Sequence, residues 1–526
     1  MRELADQQRR LDLMDAGGDP RTAIRTVFSW SYQHLPTGTA RAFRWLSLHP
    51  GADLDRYAAA VLIGTLPVEA DRQLDLLTRA HLVHLTGSGR FGMHDLLRAY
   101  ATDVAAHTDS DEQRQATLTR LLDYYVSTTA AAMDAVHPAE RHLRPPVAIP
   151  ELPIPSFANP AAALTWLDTE LPNLVAVCIY ATDHGWPDHA TRLARILFRH
   201  LDGGPYTEAL TIHTYACKAA RRLGAPDAEA HALTNLGAVH AANGRHAQAV
   251  GHYQEALALF RETGDRTGQA RTLGNLGLAC EGQGRYDQAV VHHQEALSLF
   301  RQIGDRIGEA RALNGLGVVY GRQRHYVLAA DHYEHALAIF REAGDRFGEA
   351  YALDNLGLLH GRQGYHSRAL DHHRQALTLY REVGNRDGEA FALDHLGLTY
   401  GRLGRYDQAV DHYQQALMLY REIGERSGEA EALNNLGETL RDAGRPEQAR
   451  AQHSAALALA VETDDPYEQA RAHDGIAHTY GATGDLDQAR RHWHEAFVLY
   501  VDLGVPDAQD IGASLRALEQ AAPEQG

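Results

Sequence analysis

Lysine is almost missing from this chain: Lys218 is the only one in 526 residues, so nearly every fixed cation is an arginine. A phosphate-cradling GxxxxGK[ST] loop needs a lysine behind its glycines, and Lys218 sits in TYACKAARRLG with no glycine run before it. Independent nucleotide hydrolysis is therefore excluded. Cysteine is scarce as well. Cys178, Cys217 and Cys280 lie far apart with no CxxC pair, which rules out a disulfide framework and suits a reducing, cytoplasmic setting. Positive charge is in deficit, 50 Lys+Arg against 68 Asp+Glu for a net charge of -18, which argues against a general nucleic-acid or anionic-membrane binder. No apolar run reads as long enough to cross a bilayer, and MRELADQQRRLDLMDAGGDP has no signal-peptide core. No HExxH motif and no GxSxG elbow occur. The expectation is a protein that is not an enzyme and carries no cofactor or metal.

What the chain has is repetition. Leu236-Gly237, Leu276-Gly277, Leu316-Gly317, Leu356-Gly357, Leu396-Gly397 and Leu436-Gly437 recur forty residues apart, and Ile476-Ala477 keeps the register. A fixed period of this length predicts a solenoid. Each unit contains two helical periods. Leu273, Leu276 and Cys280 form one apolar stripe, and Ala289, Ala296, Leu297 and Phe300 form the second. Gly277, lacking a Cβ, is expected to let the second helix approach where Ala289 faces it. Gly304 suits a helix C′ position and Asp305 an N-cap, a pair repeated at Gly264-Asp265 and Gly344-Asp345 and varied at Gly384-Asn385.

The Leu-Gly pair, the aromatic or His before the turn and the Ala-x6-Ala of the second helix resemble the tetratricopeptide repeat. The forty-residue unit with GDRxGEA is similar to the branch that includes LGN/Pins adaptors and kinesin light chains. In LGN-like repeats the Asn of NLG lies in the groove and bonds an extended peptide's backbone. The resemblance carries that role to Asn235, Asn275, Asn355 and Asn435, with His395 interrupting the ladder, as do Gly315 and Gly475. Around it the inner wall is expected to carry Arg271, Arg311, Arg322, Arg362 and Arg402, with Tyr351 and Phe391 between them. Charge-assisted arginine–carboxylate bonds would then hold a protein or peptide with an extended, acidic and apolar segment. The competing reading leaves these arginines solvated or paired with Asp354 and Asp394. His252, His292, His332, His372 and His412, also in register, are read as packing residues, too widely spaced to share a metal ion.

The front of the chain differs. GDPRTAIRTVFSWSYQHL starts a helix at Asp19-Pro20, two short helices follow, and LDLLTRAHLVHLTGSGRFGMHDLLRAYA reads helix, strand, tight turn, strand, helix. Three helices and a two-stranded wing make a winged helix. Its end, GRFGMHDLLRAYA, resembles the MHD motif of NB-ARC ATPases of the STAND class. In that family the histidine, here His94, touches the β-phosphate of ADP, supported by Met93 and Asp95. The order of winged helix, proline-rich helical connector and repeats resembles the C-terminal half of actinobacterial AfsR-like, SARP-type regulators. Between Arg2 and Asp103, 12 arginines balance 12 acidic residues, so direct DNA binding is not expected.

The sequence thus predicts a mostly α chain: a winged-helix region at 1–105, a connector at 106–190, and a cap and tail at 505–526. Between connector and cap lies a right-handed α-solenoid of seven to eight repeats at 191–504. The expected function is a non-enzymatic peptide-binding regulatory module. The alternative is a truncated sensor half of a STAND ATPase acting with a nucleotide-binding domain in trans.

Overall fold

The computed structural model describes residues 22–87, 89–138, 141, 144–148, 150–201, 204–503, 505 and 507–521. The predicted helix start at Asp19-Pro20 lies outside them. The chain divides into two compact units, residues 1–284 and 285–526.

In the first unit, α1 (Thr22–Gln33) and α2 (Thr37–Leu46) precede β1 (Asp53–Leu54), α3 (Arg56–Ile63), α4 (Pro67–Arg79), β2 (His84–Leu85), β3 (Phe91–Gly92) and α5 (Asp95–Thr108). Two strands were predicted. The structure adds β1, giving an antiparallel sheet of order β1-β3-β2 with Gly92 opposite both Asp53 and His84. The extra strand is tied in by Arg90, whose Nε donates to Asp53 Oδ1 at 2.9 Å. Then come α6 (Asp111–Val136), α7 (Pro160–His184), α8 (Pro187–Leu201), α9 (Tyr206–Leu223), α10 (Pro226–Ala242), α11 (His246–Thr263) and α12 (Arg266–Gly282).

By length and composition α7 could cross a membrane, contrary to the sequence reading that no run could. Its apolar face is spent on protein instead: Ala163, Leu167, Leu174, Val177, Cys178 and Ala181 are buried. Its Glu170, 1% exposed, pairs with Arg90 and accepts from Asn173 Nδ2 at 2.8 Å. One apolar core runs from Phe43 through Tyr125, Leu174 and Leu197 to Phe260, with no break near residues 105 or 190.

The second unit contains the hairpins α13 (Tyr286–Ile303), α14 (Arg306–Arg322), α15 (Tyr326–Ala343), α16 (Arg346–Arg362), α17 (His366–Glu382), α18 (Arg386–Arg402), α19 (Tyr406–Ile423), α20 (Arg426–Asp442), α21 (Pro446–Glu462), α22 (Pro466–Thr483) and α23 (Leu486–Leu503), then α24 (Asp507–Ala521). The fold is the mostly α solenoid that the period predicts. The helix punctuation is also as read: Gly304 has φ 76°, and Asp305 and Asp345 accept from Gly308 N at 2.8 Å and Gly348 N at 3.0 Å. Ile511 of α24 closes the end against a core containing Trp493 and Tyr500.

At Gly237, Gly317, Gly357, Gly397 and Gly437 the glycine of the Leu-Gly pair makes room for a ring of the second helix. A Cβ on Gly317 would come within 2.6 Å of the Tyr333 ring, and one on Gly357 within 2.5 Å of His373. That slot alternates down the chain: Tyr253, His293, Tyr333, His373, Tyr413, His453. The in-register histidines pack by stacking. His332 lies on Tyr320, His372 on His360 and His412 on Tyr400, with centroids 5.2–5.4 Å apart and planes within 9°.

Candidate functional site: the inner wall of the second unit

Consecutive first helices touch one another. Asn355 Nδ2 donates to Asn314 Oδ1 at 3.4 Å, His395 Nδ1 meets Asp354 Oδ2 at 2.7 Å, and Asn435 Nδ2 donates to Asp394 Oδ2 at 2.9 Å. These bonds join α14 to α16, α16 to α18, and α18 to α20. The row of side chains that makes them therefore serves the packing of repeats, at least in part.

This changes the predicted amide ladder. Asn435 is a correction: it is 7% exposed, and its carbonyl also accepts from Arg471 Nη2 at 2.8 Å. It is buried, with each end of its amide bonded within the chain. His395 is half-buried, and its Nδ1 is held by Asp354. Burial opposes the charged ring, but the Asp354 carboxylate more than offsets it, and the imidazole is lifted to about 9. Asn355 is half-buried and only its nitrogen is engaged. In the first unit Asn235, on α10, and Asn275, on α12, are also half-buried.

The arginines fare differently. Arg311, Arg322, Arg362 and Arg402 are exposed, and none forms an ion pair or a side-chain hydrogen bond among the described residues. The same holds for Arg271 in the first unit. The acids that could have neutralised them are committed elsewhere. Asp354 bonds His373 Nδ1 at 2.6 Å as well as His395, and Asp394 accepts from Asn435. Arg362 lies between two like charges: partial burial, then Arg322, then Arg402 hold its guanidinium below its ordinary value.

A second arginine population shows what neutralisation looks like in this fold. At the junctions between repeats, Arg341 Nε and Arg346 Nη1 grip Glu349 at 2.8 and 2.9 Å, and Arg381 and Arg386 grip Glu389 at 2.8 and 3.0 Å. The GDRxGEA motif writes that ladder. The sequence reading did not single it out, although the glutamates at 309, 349, 389 and 429 each follow an arginine by eight residues.

Beside the unpaired arginines the wall is apolar. Val318, Leu358 and Leu398 are half-buried one turn before Arg322, Arg362 and Arg402. Tyr351 and Phe391, in the register of Arg311 toward the starts of α16 and α18, are 44% and 37% exposed. Forty residues after Arg402 the row carries the exposed Asp442 instead, so its basic stretch spans α14, α16 and α18.

Asp354, His373 and His395 bring three ligand-type atoms within 4.8 Å of one another. A metal held by His373 Nδ1 would leave an N–H on its Nε2, which is buried without a partner. Metal-ligating histidines ordinarily donate that hydrogen. The cluster is better described as a charge-assisted hydrogen-bond network that pins three successive helices. The sequence reading missed it, and the alternation of Tyr and His in the second helices was the available signal.

The MHD residues divide. Met93 is buried in the core of the first unit, while His94, just before α5, and Asp95, its first residue, are exposed. The His94 ring lies 4.9 Å from that of His84.

This architecture of stacked helix pairs defines a repeat protein of the α-solenoid class. Tetratricopeptide repeats match at residues 191–262, 228–302, 268–342, 308–382, 348–422, 388–462 and 428–500, more than half of the chain. The chain belongs to the tetratricopeptide repeat family. It is 35% identical over 255 residues to the regulatory protein AfsR of Streptomyces griseus, covering 47% of this chain and 25% of that protein. With AfsR of Streptomyces coelicolor it shares 36% over 178 residues, 33% of this chain and 18% of the relative. The chain thus spans about a quarter or less of the curated relatives it matches. A STAND protein with a tetratricopeptide repeat sensor from Pyrococcus horikoshii has a similar fold, with a TM-score of 0.55 over 98% of this chain and 69% of that one at 14% identity. The sequence resemblance to AfsR-like regulators stands over the part of the chain that they match.

Proposed function

We propose that this chain is a non-enzymatic regulatory module in which the inner wall of the second unit captures an extended acidic segment of a protein partner. One observation carries this reading: Arg311, Arg322, Arg362 and Arg402 remain unpaired in a chain with a net charge of -18 and an excess of acids. An arginine that only needed neutralising could have been paired as Arg341 and Arg381 are. Carboxylates on a partner would supply charge-assisted bonds that the chain itself does not. Val318, Leu358, Leu398, Tyr351 and Phe391 offer apolar contact alongside. Asn355 keeps the backbone-binding role inferred for the amide ladder, as do Asn235 and Asn275 in the first unit. Asn435, buried and bonded at both ends of its amide, does not.

The test is fluorescence anisotropy of labelled acidic, neutral and basic peptides of equal length against the chain. Acidic peptides should bind more tightly, and replacing Arg322, Arg362 and Arg402 together by Gln should weaken them at least tenfold. Equal binding by the triple variant would sink the reading.

A second reading has its own support. The 35% identity to AfsR, and the exposed His94 beside a buried Met93, fit a winged-helix sensor half working with a nucleotide-binding domain. Isothermal titration with ADP discriminates: the chain alone should show no affinity, and binding should appear only on adding such a domain.

A further inference from the structure

Three of the unpaired arginines, Arg322, Arg362 and Arg402, come one per repeat at the last position of α14, α16 and α18. Those helices are in direct contact through the Asn314–Asn355 and Asp354–His395 bonds. Arg402 leans back on its predecessor: a Cβ on Gly361 would lie 3.5 Å from Arg402 Nη1. Helices that pack in this way place their axes about 8–10 Å apart, and that interval sets the ruler on the wall.

A bound segment matches the ruler only in certain conformations. In a β-strand, side chains return to the same face every second residue, at about 6.7 Å, and every fourth, at about 13.4 Å. Neither fits. A polyproline II helix has three residues per turn at about 3.1 Å each, so it presents the same face every 9.3 Å or so. Its open backbone and proline rings also suit an apolar wall, and Val318, Leu358 and Leu398 lie half-buried one turn before the arginines.

We infer that Arg322, Arg362 and Arg402 read a polyproline II segment carrying an acidic side chain at every third position. The inference rests on the inner wall taking an acidic segment and adds the spacing and conformation of that segment. Between the acids, proline or small apolar residues would lie on Val318, Leu358 and Leu398. The chemistry that recognises the partner is therefore periodic rather than a sum of charge.

The test uses the full chain and three labelled peptides of identical composition, each with three glutamates in a proline-rich host. One places glutamate at every third residue, one at every second, and one clusters all three. Anisotropy at fixed ionic strength should show the every-third peptide binding about tenfold more tightly than either isomer. Arg362→Gln, which removes the middle contact and touches no internal partner, should erase that preference while leaving the circular dichroism unchanged. If all three peptides bind alike, the periodic reading is overturned and the acidic groove stands. If none binds, both fall.

Discussion

The same substitution made twice on α14, one turn apart, should move stability in opposite directions. Gly317 faces Tyr333, a ring 4% exposed, and an added methyl would come within 2.6 Å of its Cδ1. Gly321 faces Leu359 Cδ1 at 3.9 Å and Ala329 Cβ at 4.0 Å, ordinary contact distances. Ala is the better helix former by about 1 kcal/mol at either site. At Gly321 most of that gain should appear, stabilising the unit by about 0.5–1 kcal/mol. At Gly317 the ring has to move within a packed core, which costs about 2–3 kcal/mol and leaves a net loss of about 1–2 kcal/mol. The two variants should then differ by about 2–3 kcal/mol, or about 5–10 °C in midpoint for a unit of this size. Thermal and urea unfolding followed by circular dichroism at 222 nm measures it. If Gly317→Ala proved as stable as Gly321→Ala, the claim that the Leu-Gly glycine exists to seat a ring would be wrong.

Two further predictions concern the polar ladder inside the wall. The His395 imidazole is held at about 9, above its ordinary 6.5, so the folded chain binds its proton more tightly than the unfolded chain does. Its contribution to stability is fully present below about pH 6.5 and is lost as the pH rises through 9. The urea midpoint of the wild type should fall between pH 7 and pH 10, and His395→Asn, the residue found at Asn355 and Asn435, should flatten that slope. Asp394 moves the other way. Burial, then Glu431, raise its carboxyl to about 7, and its Oδ1 has no partner. Keeping it ionised costs the fold stability as the pH climbs from about 4 to 7. Asp394→Asn, the residue of Asn314 and Asn434, should therefore raise the midpoint at pH 8 and do little at pH 4.

The elements legible in the sequence are those whose cause is local or strictly periodic. Gly304 and Asp305 announce a helix end and a helix start through backbone and capping chemistry, and the structure puts them there. Repeat number and phase follow from Leu-Gly pairs forty residues apart. Other features depend on partners distant along the chain. Nothing around Asn435 says that Asp394 and Arg471 will take both ends of its amide, because those partners sit in the adjacent repeats on either side. The third strand, Asp53–Leu54, is only two residues long and owes its place to Arg90 and to pairing with Phe91 and Gly92. The apolar look of α7 likewise said nothing of where Glu170 would find its counter-charge. The arginines of the inner wall are an intermediate case. Their register was visible, while their lack of partners could be learned only from where Asp354 and Asp394 turn.

That lack has an energetic consequence. Two unit charges about 10 Å apart repel by about 0.4 kcal/mol in water and by about 1.7 kcal/mol at an effective dielectric constant of 20. Arg362, with Arg322 on one side and Arg402 on the other, feels that repulsion twice, and it adds to the burial that lowers the guanidinium most. A cost of this size is small beside the packing of the repeats, so the empty wall is tolerated. It also means that the first carboxylate to arrive gains twice, by its own bond to a guanidinium and by relieving that guanidinium's repulsion with its neighbours. Junction arginines such as Arg346 have no such reserve, because Glu349 already holds them. An arginine of the inner wall should therefore respond to added acidic peptide, and to salt, far more than an arginine of the junction, although both are exposed and both recur every forty residues.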